Sequence, residues 1–286
     1  MYVLFGILTA LTNAVAVTTQ HIASTSSSHG DRGWRLVLFL LRNPLWLFGW
    51  IALVGSLLFQ ALALHFGPLS SVQPILLTEL VFALLLRRVW LRQSVRSTTW
   101  SAAIVTCIGL SVFLVVLQPK GNPHPPTSTG WITTIVISCA AVIGLVLAGR
   151  TGTPKRRAAI FAIATSISWA VEACFIKAAT DSFSPGGLMG ALSRWPIYAF
   201  AIGGLVGLLL EQTTLHVGPL KVSLPLIVIV DPVLSVVLGV TLFAEHFSTQ
   251  WLHLVLGISA FAVTCVAAFI MTQTSPETMI SDKELR

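Results

Sequence analysis

The sequence predicts an all-α polytopic membrane protein, and three observations lead there. Hydrophobic residues make up 55% of the 286, charged residues 9%, and mean hydropathy is +0.87. A soluble domain carries about 25% charged residues, so most of this chain is built to avoid water. Apolar runs of about 20 residues, enough to cross a hydrocarbon core of about 30 Å, recur along its whole length. The third observation is internal: "HFGPLSSVQP" (His65 to Pro74) returns as "HVGPLKVSLP" (His216 to Pro225), sharing the frame His-x-Gly-Pro-Leu-x4-Pro. The echo extends to "LVGSLLFQ" (Leu53 to Gln60) with "LVGLLLEQ" (Leu205 to Gln212), and to Arg42-x-Pro44 with Arg194-x-Pro196. Phe5, Thr9, Ala14 and Val15 align likewise with Phe161, Thr165, Ala170 and Val171. A spacing of roughly 150 residues is too long for a solenoid repeat. In a membrane protein it fits two homologous halves of a transporter.

Nine helices follow, taken in order. The first, 2–22, starts at Tyr2 with no basic segment before it and has a partner in the second half, so it reads as a retained helix and not a cleaved signal. A polar loop, 23–35, and the apolar run Leu36 to Leu41 (an interfacial turn or an early helix start) lead to the second helix, 43–64. Gly67-Pro68 separates it from the third, 69–90. The fourth, 99–118, stops at the Pro/Gly-rich loop Gln118 to Gly130, and the fifth spans 130–149. "AGRTGTPKRR" (Ala148 to Arg157) is the expected joint between halves. Helices over 158–179, 191–214, 219–243 and 250–272 complete the set, with Gly218-Pro219 breaking the chain before the eighth. The organisation is a first membrane repeat of five helices (1–150), a second of four (151–272), and a polar cytoplasmic tail (273–286) expected to be disordered.

Charge sets the orientation. The formal net charge of +7 does not point to nucleic acid, because the basic residues form short clusters between apolar segments and not one face. With nine spans, fourteen of the seventeen Lys and Arg residues fall on one side, and the other keeps Lys120, Lys177 and Arg194. By the positive-inside rule the N-terminus faces outward and the C-terminus the cytoplasm of a plasma or inner membrane. Because five is odd, the two halves are inserted upside down relative to each other, the arrangement that underlies alternating access. Trp34, Trp46, Trp90, Trp100, Trp131, Trp195 and Trp251 lie near span ends, as interfacial anchors do. Cys107, Cys139, Cys174 and Cys265 sit singly in apolar stretches with no metal spacing, and read as buried thiols.

The segment "VDPVLSVVLGVTLFAEHFSTQW" (Val230 to Trp251) resembles the signature of the EamA-type drug/metabolite transporter (DMT) superfamily, with Pro232 and Glu245 matching and Phe243-Ala244 standing in place of Leu-Gly. "ALALHFGPLSSVQPILLTELVFALLL" (Ala61 to Leu86) is similar to a region of the NIPA-type magnesium transporters, which are also nine-span. In the first half Ser94 occupies the position of Glu245. The resemblance implies a nine-span transporter architecture and leaves the substrate open.

Charges at membrane depth are the informative positions, since each is costly unless paired or wet. Glu79 lies midway along the third helix, Asp231 midway along the eighth, and Glu172 deep in the sixth, with Lys177 five residues on. They either bind a cation or proton in a central cavity, or form a fixed network in which Glu172 pairs with Lys177 or another base. Trp169, one turn before Glu172, is either a face for an organic cation or plain packing. Pro74, Pro225 and Pro232 free the carbonyls of Ser70, Lys221 and Val228, which become ligands or merely mark kinks. Gln60 and Gln212 line the cavity or bond across helices. His65 and His216 cap helix ends at the repeated turn, or act as ligands. If the cargo is magnesium, Glu79 and Asp231 are its ligands.

The expected function is secondary transport of a small organic or amphiphilic solute, cationic or lipid-like, coupled through carboxylates. NIPA-type transport of magnesium or another divalent cation is the named competitor. No phosphate-binding loop is present, no cofactor is expected, and no nucleophile–base pair suggests an enzyme. A non-transporting membrane scaffold or regulator is the rival from another class, and it predicts that the membrane-depth acids are all tied in fixed ion pairs with no cavity between the halves.

Overall fold

A computed structural model of the chain describes residues 1–25, 43–90, 92, 95–121, 125–183, 190, 192–247 and 250–273. Among them ten helices form nine spans long and apolar enough to cross a bilayer, so the protein is an integral membrane protein. The helices are α1 (Tyr2–Thr25), α2 (Pro44–Phe66), α3 (Leu69–Leu76), α4 (Thr78–Val89), α5 (Ser97–Leu117), α6 (Ser128–Ala148), α7 (Pro154–Phe183), α8 (Trp195–Val217), α9 (Leu220–Thr241) and α10 (Trp251–Gln273). Each predicted span is present to within about one helical turn. The readings of Arg42, of Leu36 to Leu41, of Ser94 and of the tail beyond Gln273 lie outside the described residues.

The third span differs from expectation by being two helices. Pro74 supplies no N–H to the carbonyl four residues back and crowds the turn before it. The chain responds with shorter bonds, Leu77 N–H to the Pro74 carbonyl at 3.1 Å and the Thr78 hydroxyl to the Ile75 carbonyl at 2.7 Å. α3 therefore ends and α4 restarts around Leu77. Pro225 and Pro232 do not break α9, which runs continuously.

The first half packs as the second does. α1 lies against α2, α3 and α4, and α7 lies against α8 and α9. Without a hydrophobic force between helices in lipid, polar glue and small residues set such contacts. The Ser56 hydroxyl donates to the Thr9 carbonyl at 3.2 Å between α2 and α1. Between α7 and α8 the Thr165 and Thr214 hydroxyls meet at 2.9 Å. Two further pairs join the halves, α5 with α10 and α3 with α9. One pairing is not reproduced: α2 packs on α7, whereas the repeat-related α8 and α1 make no comparable contact among the described residues. α6 stands apart, packed chiefly on α7.

The repeated Gly-Pro turn has a structural reason. Gly67 and Gly218 are both extended, at φ −140° and −172°, so neither glycine is required by conformation. Each is required by space. A side-chain carbon at Gly67 would overlap the Tyr2 ring, and one at Gly218 would overlap the Pro154 carbonyl oxygen and crowd Ala158. In each half the turn thus seats against the start of that half's own first helix.

At the Pro68 end of the bundle an aromatic cluster closes over the first of these turns. Trp131 stacks on Phe175 at 5.7 Å between centroids and meets Trp195 edge-on at 5.0 Å and Phe243 at 6.0 Å. Trp131 is 9% exposed, so it is a core residue and not the interfacial anchor the sequence suggests. Trp195 and Trp251 do remain exposed.

Candidate functional site

The acids at membrane depth are placed by four different helices. Glu79 occupies the first turn of α4, immediately beyond the Pro74 break. A restarted helix offers unpaired N–H groups and the positive end of its dipole there, a setting that favours a carboxylate. Asn13 of α1 donates its side-chain N–H to Glu79 Oε2 at 2.8 Å. On α9 the Ser235 hydroxyl donates to Asp231 Oδ1 at 3.3 Å. Glu172 of α7 is 8% exposed and faces Gly204 of α8, whose missing side chain leaves room for the carboxylate.

A fourth acid was not among the sequence candidates. Glu211 lies on α8 one turn beyond Gly207, against which the Trp169 ring packs closely. Glu211 is close enough to interact electrostatically with both Glu79 and Asp231, and Asp231 in turn with Glu172. The neighbours run in sequence, Glu79 with Glu211, Glu211 with Asp231, and Asp231 with Glu172. Among the described residues no group of three or more His, Cys, Asp or Glu side chains is gathered as a metal site requires.

None of the four acids forms an ion pair with a described base. The expected alternative pair of Glu172 with Lys177 is overturned. Five residues turn a helix by about 140°, so the two leave different faces of α7. Lys177 instead donates to the carbonyls of Leu64 at 3.1 Å and Gly67 at 3.3 Å, and pairs with Asp181 at 3.7 Å. Its ammonium also lies 5.6 Å from the centre of the Phe243 ring.

The remaining candidates divide. Pro74, Pro225 and Pro232 are buried. The Lys221 carbonyl freed by Pro225 is already taken by the Gln273 side chain at 2.6 Å, which removes it as an open ligand. Gln60 is half-buried on α2. Gln212 is exposed on α8, so the structure does not bring it to the acids. His216 bonds the Gln212 carbonyl at 2.7 Å, consistent with a helix-end role, and the His65 ring meets Phe66 edge-on.

Glu245, matched in the sequence to the superfamily signature, lies away from this string at the Pro68 end. It is 3% exposed and accepts the backbone N–H groups of Leu69 at 2.6 Å and Ser70 at 2.9 Å, the first two residues of α3. Gly239 makes this approach possible, since a side chain there would occupy the place of the carboxylate. The next residue, His246, exchanges both backbone hydrogen bonds with Lys120, at 2.9 and 3.0 Å.

No family model matches the chain, and no solved structure matches it. It is 30% identical over 277 residues to an uncharacterized protein of Corynebacterium glutamicum, an alignment that covers 96% of this chain and 95% of that one. Agreement at that level over nearly the whole of both chains means that this chain belongs to the same family as the Corynebacterium glutamicum protein.

Proposed function

We propose that the protein is a secondary transporter of the drug/metabolite superfamily type, moving a small organic or amphiphilic cation by alternating access between two inverted halves. The observation that carries this reading is the string of Glu79, Glu211, Asp231 and Glu172 at membrane depth with no described basic partner. Uncompensated carboxylates in hydrocarbon are costly, so such a site calls for protons when empty and for positive cargo when filled. Charges spread along a string suit a cation of extended shape better than a point ion that wants convergent oxygens. The Trp169 face beside Glu211 adds a surface on which a quaternary or aromatic cation is attracted. Against the scaffold reading, these acids are not tied in ion pairs among the described residues. In the membrane the N-terminus and the Pro68 end face outward, and the C-terminus faces the cytoplasm.

The test is thermal stabilisation of the purified protein by tetraphenylphosphonium, magnesium and anionic lipid, measured separately. Stabilisation by tetraphenylphosphonium that is lost in Glu79→Gln and Asp231→Asn is the expected result. Stabilisation by magnesium alone, lost in Glu79→Gln, would replace the organic cation with a divalent one. A folded protein that responds to none of the three would point to the scaffold.

A further inference from the structure

Two charged side chains of the second half clasp a single turn of the first. The turn His65 to Pro68 joins the C-terminus of α2 to the N-terminus of α3. A helix C-terminus presents unpaired carbonyls and negative partial charge, and an N-terminus presents unpaired N–H groups and positive partial charge. Lys177 of α7 meets the first with bonds to Leu64 and Gly67. Glu245, from the loop after α9, meets the second with bonds to Leu69 and Ser70. Both are buried, and each carries the sign that its helix end requires.

The turn at the opposite end seats on its own half. Gly218 rests on Pro154 and Ala158, which belong to its own half. The repeat alignment puts Ser94 in the place of Glu245, and the pairing of Thr9 with Thr165 puts His21 in the place of Lys177. The packing is unequal in the same sense, with α2 seated on α7 and, among the described residues, no comparable contact between α8 and α1.

We propose that Lys177 and Glu245 form the gate of the Pro68 end, closed in this structure. The proposal rests on the transport reading, in that a gate has a purpose only where the halves rock. Disengaging the two charges leaves carbonyls and N–H groups that hydrocarbon cannot satisfy. The gate therefore opens only when water enters that end, which makes closure and opening two discrete states. Lys177 and Glu245 act here as positioning residues, since neither belongs to the string of acids.

The experiment measures distances between spin labels in the full-length protein in nanodiscs. Leu62→Cys with Ile202→Cys reports across the halves at the Pro68 end, and Leu47→Cys with His216→Cys reports at the Pro219 end; all four positions are exposed. Combining Lys177→Met with Glu245→Gln is expected to raise the ratio of long to short distances at the Pro68 end by about tenfold or more, because hydrogen bonds to charged groups are the strong ones. The Pro219 pair should shorten in the same sample. Gly239→Ala provides a second variant, in which the carboxylate is displaced with its charge intact, and it should shift both pairs in the same directions. No change at either pair, or a change confined to the Pro68 end, would overturn the gate and leave two folding caps. Reciprocal changes in a protein that fails to move tetraphenylphosphonium would uphold the gate while removing the organic cation as its cargo.

Discussion

Tying the Lys120 and His246 loops together tests the rocking of the halves directly. Lys120 lies between α5 and α6 in the first half, and His246 lies between α9 and α10 in the second. Their two mutual backbone hydrogen bonds, at 2.9 and 3.0 Å, make them a hydrogen-bonded antiparallel pair. Such pairs hold their Cα atoms about 5.5 Å apart, inside the range of about 4.4–6.8 Å that a disulfide accepts. Both side chains are exposed, so Lys120→Cys and His246→Cys should each change stability by no more than about 0.5 kcal/mol when reduced. Oxidation closes a loop of roughly 130 residues, for which chain entropy sets an upper limit near 5 kcal/mol and experience suggests about 2–4 kcal/mol. The cross-linked protein should therefore unfold at a higher temperature. If the Pro68 end must open in each cycle, tetraphenylphosphonium flux in proteoliposomes should fall to background on oxidation and return with dithiothreitol. The assay needs Cys107 and Cys139 replaced by alanine, since both are exposed, and a non-reducing gel after cleavage between the loops to count the bond. A bond formed in nearly every molecule with flux unchanged would refute the reasoning, because the two loops would then never separate.

Three further outcomes are expected. Cysteines at Gly121 and Thr153 should react with a membrane-impermeant maleimide from outside and from inside the cell respectively; the reverse pattern would invert the orientation. Gly67→Val and Gly218→Val should each destabilise the protein by about 1–3 kcal/mol in thermal or denaturant unfolding, since both positions are overfilled by any side chain, and wild-type stability in either would remove the close-approach argument. Trp169→Phe keeps a ring on Gly207 but offers a smaller and weaker cation-binding face, so tetraphenylphosphonium should bind about two- to fivefold more weakly, for about 0.5–1 kcal/mol lost, whereas Trp169→Ala should lose more.

The spans were legible because apolar length is a property of consecutive residues, and so was the repeated turn. The break at Leu77 was only half legible. Pro74 announced a disturbance, but Pro225 and Pro232 carry the same mark in α9, which stays whole. What separates them is the Thr78 hydroxyl and the bonds around it, which the sequence does not rank. Glu79, Asp231 and Glu172 could be picked out as acids in apolar stretches. Glu211 carries that same signal, next to the Gln212 that the repeat singles out. The partners of Lys177 and Glu245 were not readable at all. Each meets backbone groups more than 100 residues away, and a helix terminus has no residue type of its own to advertise it. The family resemblance singled out Glu245 without saying what it holds.

The clasp around the Pro68 turn also fixes an order of events during synthesis. The turn itself leaves the ribosome within the first quarter of the chain, while Lys177 appears well past the middle and Glu245 only just before the last helix. Until then the end of α2 and the start of α3 have no partner for their terminal carbonyls and N–H groups. Those groups must stay at the wet surface or be held by the insertion machinery. The first five spans are thus an unfinished object that the final third of the chain completes. A protein truncated before α9 should be inserted yet unsettled at this turn, and a second half supplied as a separate polypeptide should settle it.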